Sequence, residues 1–207
     1  KEQLLTIPVT GTAVAETESF DAFRARLLQH SDVLGITGSL NRLGERIWIW
    51  NYRPEGWQGE EEYWTVSGML VDNAYLDTYG LEVVAGRPFS LDHPGDDEHA
   101  ILINEAAARF LGWDDPVGRT MTTTGPEGEP VQMSVVGVVA DFHYASLHQE
   151  VAPLILNLGG FSRYLTIRLA PGADAGALAF LEETWRVFVP GQPPQFSFVD
   201  GQMAQLY

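Results

Sequence analysis

At 207 residues, with 45% hydrophobic side chains including 10 Phe, 7 Tyr and 6 Trp, the chain can build one large domain or two small ones around a substantial core. Its net charge of −16 argues against binding nucleic acid or an anionic lipid surface, both of which need clustered Lys and Arg. Cysteine is absent, which excludes disulfides and thiol chemistry, and no apolar run approaches the roughly 20 residues of a membrane span.

Leu4 to Val9 predicts a strand, with Pro8 suited to an edge or strand end. Ser19 is a candidate N-cap for a helix over 20–30, where Phe20, Phe23 and Leu27 recur at helical spacing. Val33 to Leu40 predicts a second strand, completing a β-α-β unit. A second such unit closes the chain. Tyr164 to Leu169 alternates with the period of a half-buried strand. Asp174 can cap a helix with Leu178, Leu181, Trp185 and Phe188 on one face. Prolines and glycines at 190–194 stop that helix before a last strand over Gln195 to Val199. The fold class expected is α+β: a split ferredoxin-like (porter-like) β-α-β layer formed by 1–44 and 151–207, with an inserted small α/β subdomain over 45–150. The chain opens and closes abruptly around these strands and reads as a piece of something longer.

Within the insertion, Ile47-Trp48-Ile49-Trp50 and Tyr63-Trp64-Thr65-Val66 predict two aromatic strands joined by a loop over 53–59. A short helix is expected over Asp72 to Tyr79, ended by Gly80. A second is expected over Glu105 to Leu111, capped by Asn104 and closed by Gly112. Val131 to Val139 is the strongest strand signal in the chain, β-branched and apolar.

Catalytic patterns are weak. The histidine pairs His93/His99 and His143/His148 lack the i, i+4 spacing of a helical metal site. Acidic runs such as Glu60-Glu61-Glu62 and Asp96-Asp97-Glu98 read as solvated loops rather than as two carboxylates facing across a cleft. Ser67 lacks a nucleophile elbow, and Gly159-Gly160 is not followed by the Lys-Ser/Thr of a phosphate loop. No catalytic residue, cofactor or metal is expected. The cluster Trp48, Trp50, Trp57 and Trp64 is the candidate interaction surface. Alternation sends Trp48 and Trp50 to one face of a strand and Ile47 and Ile49 to the other. Packing of both faces, in the core and under a loop, competes with an exposed patch that docks a partner.

Six phrases run in order along the middle of the chain: Val66-Ser67-Gly68, Tyr79-Gly80-Leu81-Glu82, Ala85-Gly86-Arg87-Pro88-Phe89, Ile103-Asn104-Glu105-Ala106-Ala107-Ala108, Asp115-Pro116-Val117-Gly118-Arg119 and Val136-Gly137-Val138-Val139-Ala140-Asp141-Phe142. Their order and spacing resemble the periplasmic core domain of MacB-like, FtsX-like ABC transporter permeases. The likeness covers nearly the whole chain and departs over 45–65. It implies a non-enzymatic extracytoplasmic domain carried on membrane helices. It also implies a cytoplasmic ATPase subunit, a second permease copy or half and a periplasmic adaptor as partners, and a role in coupling ATP-driven motion to export or partner activation. The alternative is a free-standing periplasmic module that binds a small amphiphile or peptide. The motif positions Gly86, Arg87, Asn104, Glu105, Gly118, Gly137 and Asp141 are expected to be structural: Gly86 and Gly137 for close backbone approach or positive φ, Gly118 in a turn with Pro116 and Val117, Asn104 as a cap, and Arg87 paired with Asp141 or with buried carbonyls.

Overall fold

A computed structural model describes residues 3–44, 47–144, 150–159, 162–173 and 175–199. In chain order its elements are β1 (Gln3–Pro8), a 3-10 turn (Ala13–Ala15), α1 (Thr17–Leu27), β2 (Val33–Ser39), β3 (Trp48–Pro54), β4 (Trp64–Val71), α2 (Tyr75–Tyr79), β5 (Val83–Gly86), α3 (Asp96–His99), β6 (Ala100–Asn104), α4 (Glu105–Leu111), β7 (Thr120–Thr124), β8 (Pro130–Val139), β9 (Leu154–Leu158), β10 (Tyr164–Leu169), α5 (Ala175–Phe188) and β11 (Ser197–Phe198). They fall into two units. One comprises Lys1–Leu43, Ala74–Gly80 and Gly160–Tyr207; the other comprises Gly44–Asn73 and Leu81–Gly159.

The first unit is an antiparallel sheet in the order β11-β1-β10-β2. Alternation decides its faces. Leu5 and Ile7 of β1, Ile36 of β2 and Leu165, Ile167 and Leu169 of β10 share one core with Phe20, Phe23 and Leu27 of α1 and Leu181 and Trp185 of α5. Both long helices therefore cover the same face. Phe23 sits between them, edge-on to Trp185 at 6.0 Å and to Phe188 at 5.5 Å, the geometry that aligns a positive ring edge with a negative face. The opposite face carries Thr6 and Thr166, both buried, and receives α2. Tyr79 Oη lies 2.8 Å from Thr166 Oγ1, and Arg168 donates to the Asp77 carbonyl at 3.1 Å. Gly35 permits that approach, since a Cβ there would stand 3.0 Å from Thr78 Oγ1.

Helix α1 begins at Thr17, not beyond a Ser19 cap. The 3-10 turn runs straight into it, with Glu16 N–H donating to Ala13 and Phe20 N–H donating to the Glu16 carbonyl. Glu16, the N-cap position, makes no side-chain cap bond. Asp174, the expected cap of α5, lies outside the described residues. The last strand is only Ser197–Phe198, but Val199 N–H still donates to the Leu4 carbonyl at 2.9 Å. Because β11 is antiparallel to β1, the start of the first described strand and the end of the last lie side by side.

The second unit is a barrel. β4 pairs with β3, β3 with β7, β7 with β8, β8 with β6, β6 with β9, and β9 returns to β4. The ring of six strands leaves no free edge among its own members. The β6–β8 and β9–β4 pairings are parallel and the rest antiparallel. β5 joins outside the ring, antiparallel to β8. The interior holds Tyr52, Val66, Ile101, Ile103, Met121, Met133, Val135 and Ile155. Segment 151–159, expected in the β-α-β layer, belongs here instead, and α2, expected in the insertion, belongs to the first unit. Each displacement has its own cause: β9 supplies the pairing that closes the ring, and Tyr79 of α2 docks on β10.

Candidate functional site

The motif residues converge around β8. Gly86 pairs with Gly137 in the β5–β8 ladder. Gly86 has φ +72, and a Cβ there would lie 2.3 Å from the Val136 carbonyl oxygen; one on Gly137 would lie 2.2 Å from that of Arg87. No side chain fits either place, so glycine is what lets the two backbones meet. Arg87 N–H donates to the Val136 carbonyl at 3.0 Å, and Gly118 N–H to that of Val135 at 2.8 Å.

Arg87 does not pair with Asp141. Its guanidinium grips Asp96 with two bonds, Nη1 at 2.6 Å and Nη2 at 2.8 Å. Asp96 also accepts from Ser90 N–H at 3.2 Å and is buried. The Arg87 bonds hold the Asp96 carboxyl below its ordinary range and raise the guanidinium. Asp141 has other work. Its Oδ1 accepts from Ala106 N–H at 2.8 Å, and its Oδ2 from Arg109 at 2.5 Å. Glu105 answers by accepting from Asp141 N–H at 3.0 Å. The Asp141 carboxylate therefore engages Ala106 N–H, a donor that would otherwise be orphaned at the N-terminus of α4, while Glu105 holds the Asp141 backbone in place. Asn104, fully buried, completes the knot. Its Oδ1 accepts from Ala107 N–H at 3.0 Å and Leu154 N–H at 2.9 Å, and its Nδ2 donates to the Ala152 carbonyl at 2.9 Å. The expected α4 cap is thus also a clamp on the start of β9. Gly112 closes α4 in the left-handed region at φ +65.

The four tryptophans go to different places. Trp64 is buried and stacks on Phe110 at 5.2 Å and 13°. Trp57 is half-buried and donates to the Glu61 carbonyl at 2.9 Å. Trp50 turns inward, and its indole occupies space left by Gly68, where a Cβ would fall 2.4 Å from Trp50 Cδ1. Trp48 is 52% exposed, and Ile49 on the other strand face is 66% exposed. Ile49 is not covered by a loop as the packed reading expected.

Sequence reasoning missed the cavity at one end of the barrel. It measures about 590 Å³ and is lined by Trp50, Tyr52, Leu70, Met133 and Asn157, with Asp97, Glu98 and His99 of α3 and Glu129 before β8 beside them. Tyr52 Oη donates to Asn157 Oδ1 at 2.6 Å, and burial pushes the phenol pKa up, so it stays protonated. Asn157 Nδ2 and Trp50 Nε1 are buried there with no hydrogen-bond partner. Among the described residues no three His, Asp or Glu side chains gather as a metal-binding group. His148 lies outside those residues.

The family model for the MacB-like periplasmic core domain matches residues 3–181. The chain belongs to that family. It is therefore a periplasmic domain of a MacB-like ABC transporter permease, a non-enzymatic class, and no helix among the described residues is long and apolar enough to cross a membrane. Solved structures carry the same fold. The periplasmic region of MacB from Actinobacillus actinomycetemcomitans matches with a TM-score of 0.62 at 13% identity, over 98% of this chain and 90% of that one. The extracellular domain of the ABC-type transporter YknZ from Gram-positive bacteria matches at 0.59 and 15%, over 95% and 100%. A domain of a putative permease protein from Porphyromonas gingivalis matches at 0.56 and 16%, over 96% and 89%.

Proposed function

We propose that this MacB-like domain transmits motion. Membrane helices attached to the chain would shift when a cytoplasmic ATPase subunit binds ATP, and two copies of the domain would move outside to expel a substrate or activate a partner such as a periplasmic adaptor. The observation that carries this reading is the family match together with the β1–β11 pairing, which sets the first and last described strands side by side. An insertion between two neighbouring membrane helices needs that arrangement. The strand order β11-β1-β10-β2, with α1 and α5 on one face, supports the split ferredoxin-like layer. Such a layer takes force on β1, which lies between two partners, β11 and β10. The knots at Asn104, Asp141 and Arg87 support a scaffold role for the motif residues, their carboxylates being held by local donors.

The test is an antibody to this domain, cell fractionation and a blot. A band much larger than 22.9 kDa in the membrane fraction is expected. A soluble band near that mass overturns the permease reading and leaves a free-standing binding module.

A further inference from the structure

We infer that the open end of the six-stranded barrel is a binding site for a cationic amphiphile that carries an acceptor oxygen within an apolar body. This goes beyond motion transfer and rests on the cavity alone. A volume of about 590 Å³ lies within the roughly 300–1,000 Å³ of small-molecule pockets, which form in the mouths of β-barrels. Its walls are mostly apolar, with Trp50, Tyr52, Leu70, Val131, Met133 and Leu158.

Two donors inside are unmatched. Asn157 is 5% exposed, its Oδ1 is occupied by Tyr52 Oη, and its Nδ2 has no partner; Trp50 Nε1 has none either. Buried N–H groups left unpaired are costly, and a ligand oxygen that accepts from them recovers that cost. Both residues line the cavity, but neither nitrogen is open to solvent, so a ligand that shifts them to reach these donors must supply an acceptor. The rim sets the sign of charge. Asp97, Glu98 and Glu129 line it against His99, with no Lys or Arg among the lining residues. A protonated amine fits there and a carboxylate does not.

The probe is 4-(aminomethyl)benzophenone, which has an amine, an aryl body and one carbonyl, and crosslinks on irradiation. Its anionic counterpart is 4-benzoylbenzoate. Binding to the 207-residue chain is followed by tryptophan emission, and crosslinks are mapped by peptide mass. The amine should bind saturably and about tenfold more tightly than the carboxylate, with crosslinks on Trp50, Met133 or Leu70. Asn157→Leu should weaken it about tenfold. The double variant Asp97→Asn/Glu98→Gln changes only exposed rim carboxylates. It should shrink the preference for amine over carboxylate about threefold, and it decides the matter if Asn157→Leu does not fold. Absence of saturable binding, which would mean a cavity that holds only water, overturns the inference. So do equal affinities for the two probes, crosslinks mapped elsewhere, or a folded Asn157→Leu that binds unchanged.

Discussion

Asn104→Ala removes the hub of the second unit. Three bonds end on this fully buried side chain. Loss of the α4 cap costs about 1 kcal/mol. Leu154 N–H, buried at the start of β9, then has no acceptor, a penalty of about 2 kcal/mol. The Ala152 carbonyl loses less, because the Tyr144 hydroxyl, whose one proton it shares with the Pro153 carbonyl, still reaches it at 3.3 Å. The sum is about 3 kcal/mol. Asn104→Asp keeps both acceptor roles. At acid pH, where its protonated second oxygen can donate to Ala152 in place of Nδ2, it should cost no more than about 1 kcal/mol. It should cost more at neutral pH, where a carboxylate oxygen would face that carbonyl in a fully buried site. Urea unfolding followed by tryptophan emission reads this unit, since Trp48, Trp50, Trp57, Trp64 and Trp113 lie in it and only Trp185 lies in the other. A loss below about 1 kcal/mol for Asn104→Ala, the value of a cap alone, would refute the clamp. Equal losses for the two variants at acid pH would refute the assignment of the acceptor role as the dominant one.

Four further outcomes are expected. Arg87→Ala leaves the buried Asp96 carboxylate without its bidentate partner and should cost about 2 kcal/mol, less than a fully buried pair because Arg87 is about one-third exposed; an unchanged melting temperature would sink the pairing. The Asp96 carboxyl titrates below its ordinary 3.8, so its stabilisation is complete above that value and fades as pH falls through the lower folded value; Asp96→Asn should flatten the acid limb of the stability profile. Tyr79 is pushed up to about 12 from 10.0, chiefly by burial; its contribution is complete below pH 10 and is lost as pH rises toward 12, and Tyr79→Phe should reduce that alkaline loss in a pH-dependent melting series. Trp48→Phe should remove most of the acrylamide-accessible emission, since Trp48 is the tryptophan left over half exposed; strong protection of all six indoles in the parent chain would contradict the placement of β3.

Local signals predicted local structure well. Asn104 and Gly112 bracket α4 because capping needs only the residues at its ends. The alternation of Tyr164 to Leu169 fixed β10 to the residue because one face packs on helices and the other on Thr166 and Arg168 neighbours. β9 was missed for the opposite reason. Leu154-Ile155-Leu156-Asn157-Leu158 is buried at its first four positions, so it shows no period. Closure of the barrel depends on that strand and was therefore invisible. The partner of Arg87 was illegible too. Several carboxylates lie within reach in sequence, and the choice follows from α3 presenting Asp96 while the start of α4 engages Asp141.

The family motifs and the cavity carry different kinds of information. Gly86, Gly137, Asn104, Glu105 and Asp141 make backbone contacts that any occupant of the fold would need, so they say what the domain is and nothing about what it meets. Trp50 and Tyr52 lie in the 45–65 stretch, where the resemblance departs, and both line the cavity. A scaffold that repeats its framing contacts and varies its lining is how one fold serves different ligands. On that reasoning the ligand fit of this chain is written in β3 and Asn157, and its charge preference in the carboxylates of the rim, rather than in the motif positions. Exchanging 48–54 with the matching strand of a relative should then change the affinity of both probes together, the rim carboxylates being untouched, while leaving the Asn104 clamp, and the urea midpoint it sets, nearly unchanged. A lost clamp with unchanged probe affinity would reverse that assignment.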